Sequence, residues 1–149
     1  MKRSIFSGLI FSGLLCSMNV HAVVWSVLKE PVHKVAAKGT LEEIVSWVDK
    51  YGVNDKDSYK QTLLFIAADT GRTDVVKMLL DRGASVNAVS ATLLTPLHVA
   101  AGKGYFDIAK MLLDKGASLD AKSNTGETPL DWAKGSRNKE VIDLLSAKN

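Results

Sequence analysis

Thr62, Thr95 and Thr128 stand 33 residues apart, and the chain repeats itself around them. Shifting residues 62–94 onto 95–127 matches 17 of 33 positions by identity, where ordinary composition gives about two. Among the matches are Ala67-Ala68 with Ala100-Ala101, Gly71 with Gly104, and "KMLLD" at 77–81 with 110–114. A match of that density marks a duplicated structural unit. A unit of this length cannot close a core alone, so the chain must fold as a stack.

Each unit reads as two short helices followed by a projecting loop. In "TPLHVAAGKG", Thr95 is placed to cap a helix, and Pro96 suits its first turn because the missing N–H costs nothing there. Gly104 permits the sharp turn into "FDIAKMLLDKG", where Asp107 lies at the positive end of the second helix. Ile108, Met111, Leu112 and Lys115 keep helical spacing, and Gly116 stops the element.

The period and the "TPLHVAA" signature resemble the ankyrin repeat, over about residues 32–149. The resemblance implies an all-α solenoid of about four helix-turn-helix repeats with projecting β-turn loops. The repeats run over about 32–61, 62–94, 95–127 and 128–149. The second unit departs from the signature at Leu63 and Phe65, and the last at Asp131 and Arg137. The first is the most divergent, keeping only the spacing of His33 and Gly39. Divergent outer units suit caps, which must turn a polar face to water.

The start of the chain reads as a secretory signal peptide over residues 1–22. Lys2 and Arg3 precede an apolar run from Ile5 to Leu15, and Val20-His21-Ala22 offers a cleavage site after Ala22. That run is short for a bilayer span, which disfavours a retained anchor. Leu15 before Cys16 disfavours a lipoprotein signal. Residues 23–31 read as an N-terminal arm or cap, with Trp25 covering the apolar end of the stack or serving as a partner-binding arm. The whole chain carries +3, and removing Lys2 and Arg3 leaves 17 basic against 16 acidic residues. This balance, with no basic run, gives a nucleic-acid partner no support, and none is expected. Cys16 is the only cysteine, so the cleaved chain suits an oxidising compartment, and the expected address is the periplasm or secretion.

No catalytic constellation stands out. His98 holds the fourth place of "TPLH", whose imidazole, as the resemblance implies, hydrogen-bonds within and between repeats. The remaining histidine after cleavage, His33, holds the matching place near the start of the stack. Gly102 and Gly104 follow no strand and so form no phosphate loop. No His/Cys cluster has metal-ligand spacing, and no cofactor is implied. Trp47 aligns with Leu79 and Trp132 with Val99, which places both in the core.

The resemblance further implies protein binding through the finger tips and the concave face of the first helices. On the first finger these positions are Ser58, Tyr59 and Gln61, with Asp69, Thr70 and Arg72 behind. On the second they are Ala91, Thr92, Leu93 and Leu94, with Lys103 and Tyr105 behind, and on the third Asn124, Thr125 and Glu127. Leu93 occupies the place of Gly126, where a tight turn needs a positive φ. The two leucines either project toward a partner or fold onto a neighbouring finger. The expected function is a monomeric, non-enzymatic module that binds another protein, with no stable membrane insertion after cleavage. It would neutralise a partner enzyme or toxin. The alternative is a scaffold that stabilises another envelope protein, in the setting of oxidative stress. An enzyme is the remote reading.

Overall fold

The computed structural model describes residues 31–148; the expected signal peptide and the Trp25 arm lie outside this range. Eight helices follow one another in pairs, and among the described residues no strand forms. The pairs are α1 (Pro31–Lys38) with α2 (Leu41–Tyr51), α3 (Leu63–Thr70) with α4 (Thr73–Asp81), α5 (Pro96–Lys103) with α6 (Phe106–Asp114), and α7 (Pro129–Ser136) with α8 (Lys139–Ala147). The expected all-α repeat solenoid is the architecture observed.

Local chemistry sets the ends of each pair. Thr62, Thr95 and Thr128 sit in extended backbone, and each hydroxyl accepts the N–H of the residue three further on. Gly71 and Gly104 close α3 and α5 with φ of 74° and 77°, so the chain reverses at once into the second helix. Arg137 takes the same place after α7 with φ 58°, a conformation in which Cβ crowds the backbone.

Burial explains why the inner units are apolar throughout. Every residue of α3 from Leu63 to Ala68, and of α5 from Pro96 to Ala101, is buried, because each helix is sandwiched between two neighbouring units. At the ends, α1 buries Val32 and Ala36, while α7 buries Pro129 and Ala133. The second helices are amphipathic and bury one stripe each: Ile44 and Val48, then Val75, Val76, Leu79 and Leu80, then Ile108, Ala109 and Leu112, then Val141 and Leu145. The two tryptophans expected in the core sit at its margin. Trp47 is half-buried and lies 4.3 Å, centroid to centroid, from Tyr51, while Trp132 is half-buried over Gly102.

Polar contacts repeat along the stack as well. Arg82 pairs with Asp49, Lys115 with Asp81 and Lys148 with Asp114, each basic side chain reaching one unit back along the second helices. These pairs are exposed and screened, so each adds little stability.

Candidate functional site

The loops between pairs share one turn, built from a single polar side chain. The Asp57 Oδ1 accepts the N–H groups of Tyr59 and Gln61 at 2.8 Å each. One unit on, Ser90 Oγ accepts from Thr92 and Leu94, and Ser123 Oγ accepts from Thr125 and Glu127. Main-chain bonds close the same turns, from Lys60 N–H to Asp57, Leu93 N–H to Ser90, and Gly126 N–H to Ser123. Aspartate and serine suit the place because a short oxygen-bearing side chain can satisfy donors two and four residues ahead.

The fingers are also bonded to one another. Ala91 N–H donates to the Tyr59 carbonyl at 2.8 Å, and Asn124 N–H to the Thr92 carbonyl at 3.1 Å. Corresponding positions of neighbouring fingers therefore lie side by side in a row.

Each finger needs one residue at positive φ, and these are Lys60 (58°), Leu93 (60°) and Gly126 (83°). Only glycine adopts that conformation freely; an L side chain there costs about 1–2 kcal/mol. Leu93 combines this cost with 47% exposure, so its side chain gains little from the fold that holds it. Leu94, by contrast, is half-buried and packs against the core. The structure thus divides the pair into one projecting leucine and one folded down. Tyr59 projects as well, at 64% exposure, beside His33 at a ring separation of 6.3 Å. His33 in turn approaches the buried carboxylate of Asp57.

The remaining finger residues Ser58, Ala91, Thr92, Asn124, Thr125 and Glu127 are exposed, and Gln61 is half-buried. Behind the fingers, Asp69 pairs with Lys103 at 3.8 Å, and the Thr70 hydroxyl is turned back onto the Ile66 carbonyl of its own helix.

Arg72 and Tyr105 lie elsewhere than a free surface. Arg72 Nη1 donates to the Gly39 carbonyl at 2.6 Å and to that of Ala36 at 3.3 Å, closing the end of α1. Tyr105 is half-buried with its ring on Gly71, so near that a Cβ on the glycine would fall 2.8 Å from Cζ. Asn138 completes the series, donating to the Gly104 carbonyl at 3.4 Å. Residues 72, 105 and 138 each follow the turn and reach back to the glycine of the unit before. Arg72 and Tyr105 give α4 and α6 no side-chain cap, so their side chains serve the junction between units instead. The signal was present: they form a column one place after the repeated turn position.

His98 is fully buried, and its hydrogen bonds assign its tautomer. The Nδ1 accepts from the Thr95 N–H at 3.1 Å and faces the Thr95 hydroxyl at 2.9 Å, so Nε2 carries the proton and donates to the Glu127 carbonyl at 3.0 Å. Burial holds its pKa below 6.5, partly opposed by that carbonyl. The ring joins the second finger's cap to the third finger, a bracing role. Sequence reading missed Trp132, whose indole N–H donates to the Glu127 carboxylate at 3.2 Å beneath the third finger. It also missed Val89, 37% exposed at the base of the second finger.

Among the described residues no group of three or more His, Cys, Asp or Glu could hold a metal ion. None of the described helices is long and apolar enough to cross a membrane. What the face offers is a row of hydrogen-bonded turns that carry exposed side chains.

Two family models match the chain, both of ankyrin repeats. One, described as many copies, covers residues 64–113, and the other, described as three copies, covers residues 89–149. The first helix pair precedes both ranges. No curated protein matches.

Proposed function

The chain carries ankyrin repeats, a protein-interaction module, and on that premise we propose that it is an exported, non-enzymatic binder that neutralises a partner enzyme or toxin in the periplasm or outside the cell. The observation that carries this reading is Leu93. It is an apolar side chain held outside the core by a main-chain conformation that disfavours it. Strain retained at an exposed apolar side chain, which water does not favour as it does a lysine or arginine, points to a use outside the fold. A projecting tip on a hydrogen-bonded, preorganised row can fill a cleft in a partner without first ordering a loop, which lowers the entropy cost of association. The reading of residues 1–22 as a signal peptide supports the address.

The test is affinity capture from a periplasmic extract of the native host, with the chain and its Leu93→Ser variant as parallel baits. A protein retained by the first and lost by the second is the expected result, and inhibition of that protein's activity on binding completes the reading. A partner that instead loses folding or localisation when the chain is absent would favour the scaffold. Retention of nothing specific by either bait would count against a binder.

A further inference from the structure

Because corresponding positions of the fingers lie side by side, the 33-residue columns show what a partner meets. The residue before each turn is Lys56, Val89 and Lys122, and the residue at positive φ is Lys60, Leu93 and Gly126. The exposed apolar side chains Val89 and Leu93 both belong to the middle finger, with Tyr59 on the finger bonded to it. Exposed lysines flank them, Lys56 and Lys60 on one side and Lys122 on the other.

The carboxylates of the same row are already engaged. Asp57 is buried and accepts two main-chain N–H groups while facing His33. Glu127 accepts from the Thr125 hydroxyl and the Trp132 indole. Asp55 is half-buried, and Asp120 is exposed three residues before Ser123, where Lys122 stands one before it. The middle finger is therefore apolar with exposed lysines on both flanks, although the third finger also carries the exposed carboxylates of Asp120 and Glu127, the latter tied down by Thr125 and Trp132.

We infer that this row receives an acidic segment of a protein carrying an apolar anchor, which lies among Tyr59, Val89 and Leu93 while its carboxylates meet Lys56, Lys60 and Lys122. This inference rests on the proposed function and specifies its partner. An apolar anchor ringed by complementary charge gives both a buried contact and an oriented approach. A membrane surface is the poorer match, because three lysines supply only a weak attraction to anionic lipid and the apolar area is small.

The probes are labelled soluble peptides repeating Glu-Glu-Leu, Lys-Lys-Leu or Glu-Glu-Ser, titrated with the full chain and followed by fluorescence anisotropy. Saturable binding is expected for Glu-Glu-Leu alone, weakening as salt rises. The Val89→Ser/Leu93→Ser and Lys56→Glu/Lys122→Glu variants, checked by circular dichroism, should each bind about tenfold more weakly, as for loss of an anchor. The Lys77→Glu/Lys110→Glu variant, on the second helices, should match the parent. Failure of Glu-Glu-Leu to bind, equal binding of Lys-Lys-Leu or Glu-Glu-Ser, or an equal loss in the second-helix variant would overturn the inference. So would tighter binding to phosphatidylglycerol vesicles that the finger variants abolish. A captured partner indifferent to the finger lysines would overturn it too while leaving the binding reading intact, whereas no captured partner would count against the reading itself.

Discussion

The imidazole of His98 donates through Nε2 to the carbonyl oxygen of Glu127, 3.0 Å away and one finger on. With Thr95 N–H donating to the opposite nitrogen, the ring is held neutral and spans two units. Protonation would place a second hydrogen against the Thr95 N–H and a charge in the core.

The direction of the pH effect follows. A histidine whose folded pKa lies below its unfolded value of 6.5 binds a proton more readily once unfolded. Stability is then complete above about pH 6.5 and falls as pH drops below it. Thermal unfolding of the chain between pH 7.5 and 5 should show the decline. His98→Phe, which copies the buried Phe65 of the preceding unit, should remove the part of the decline due to this ring while lowering stability at neutral pH by about 1–2 kcal/mol for the lost bridge. The exposed Asp131 is held below its usual carboxylate range by the Thr128 N–H and hydroxyl, and so stays outside this window.

Leu112 is fully buried on α6. Leu112→Ala should cost roughly 2–5 kcal/mol in urea unfolding, and hydrogen exchange should quicken in the units on both sides because each supports the next. A cost below about 1 kcal/mol would contradict the packing described.

Arg72 closes the end of α1 by its bonds to Gly39 and Ala36. Arg72→Ala leaves those carbonyls without their donor and should destabilise by about 1–2 kcal/mol. The loss should appear as faster exchange in α1 and α2, with α7 and α8 unaffected. Uniform loosening would mean that the junction is not local.

Arg137 holds positive φ after α7, where the inner units have glycine. Arg137→Gly relieves about 1–2 kcal/mol of backbone strain and gives up about 0.5–1 kcal/mol to glycine's larger unfolded-state entropy. Its Tm should rise by a few degrees. A fall in Tm would show that the side chain supplies a contact larger than the strain.

The period alone made the stack, its caps and its inner glycines legible, because threonine caps and positive-φ glycines are local requirements that recur at a fixed spacing. Which finger residues are exposed was less legible, since side-chain direction is decided by packing. Leu93 and Leu94 are identical in type and adjacent, yet one projects and the other packs, and only the turn geometry separates them. Arg72 and Tyr105 have the composition of interface residues but fill the junction to the preceding glycine. Trp132 aligns with a buried valine, yet its larger ring is only half-buried, lying over Gly102 of the preceding unit.

The central claim is that Leu93 is kept in a strained, exposed place for a partner. Leu93→Gly tests it, because glycine relieves the strain at φ 60° and should leave the chain as stable as before or more so by about 0.5 kcal/mol. Loss of binding in that variant therefore cannot arise from unfolding. The measurement is the dissociation constant of Leu93→Gly for the captured protein, with Arg137→Gly as the control. The account predicts at least about tenfold weaker binding for Leu93→Gly and parental binding for the control, as removal of a buried anchor requires. Parental affinity in both variants would contradict it.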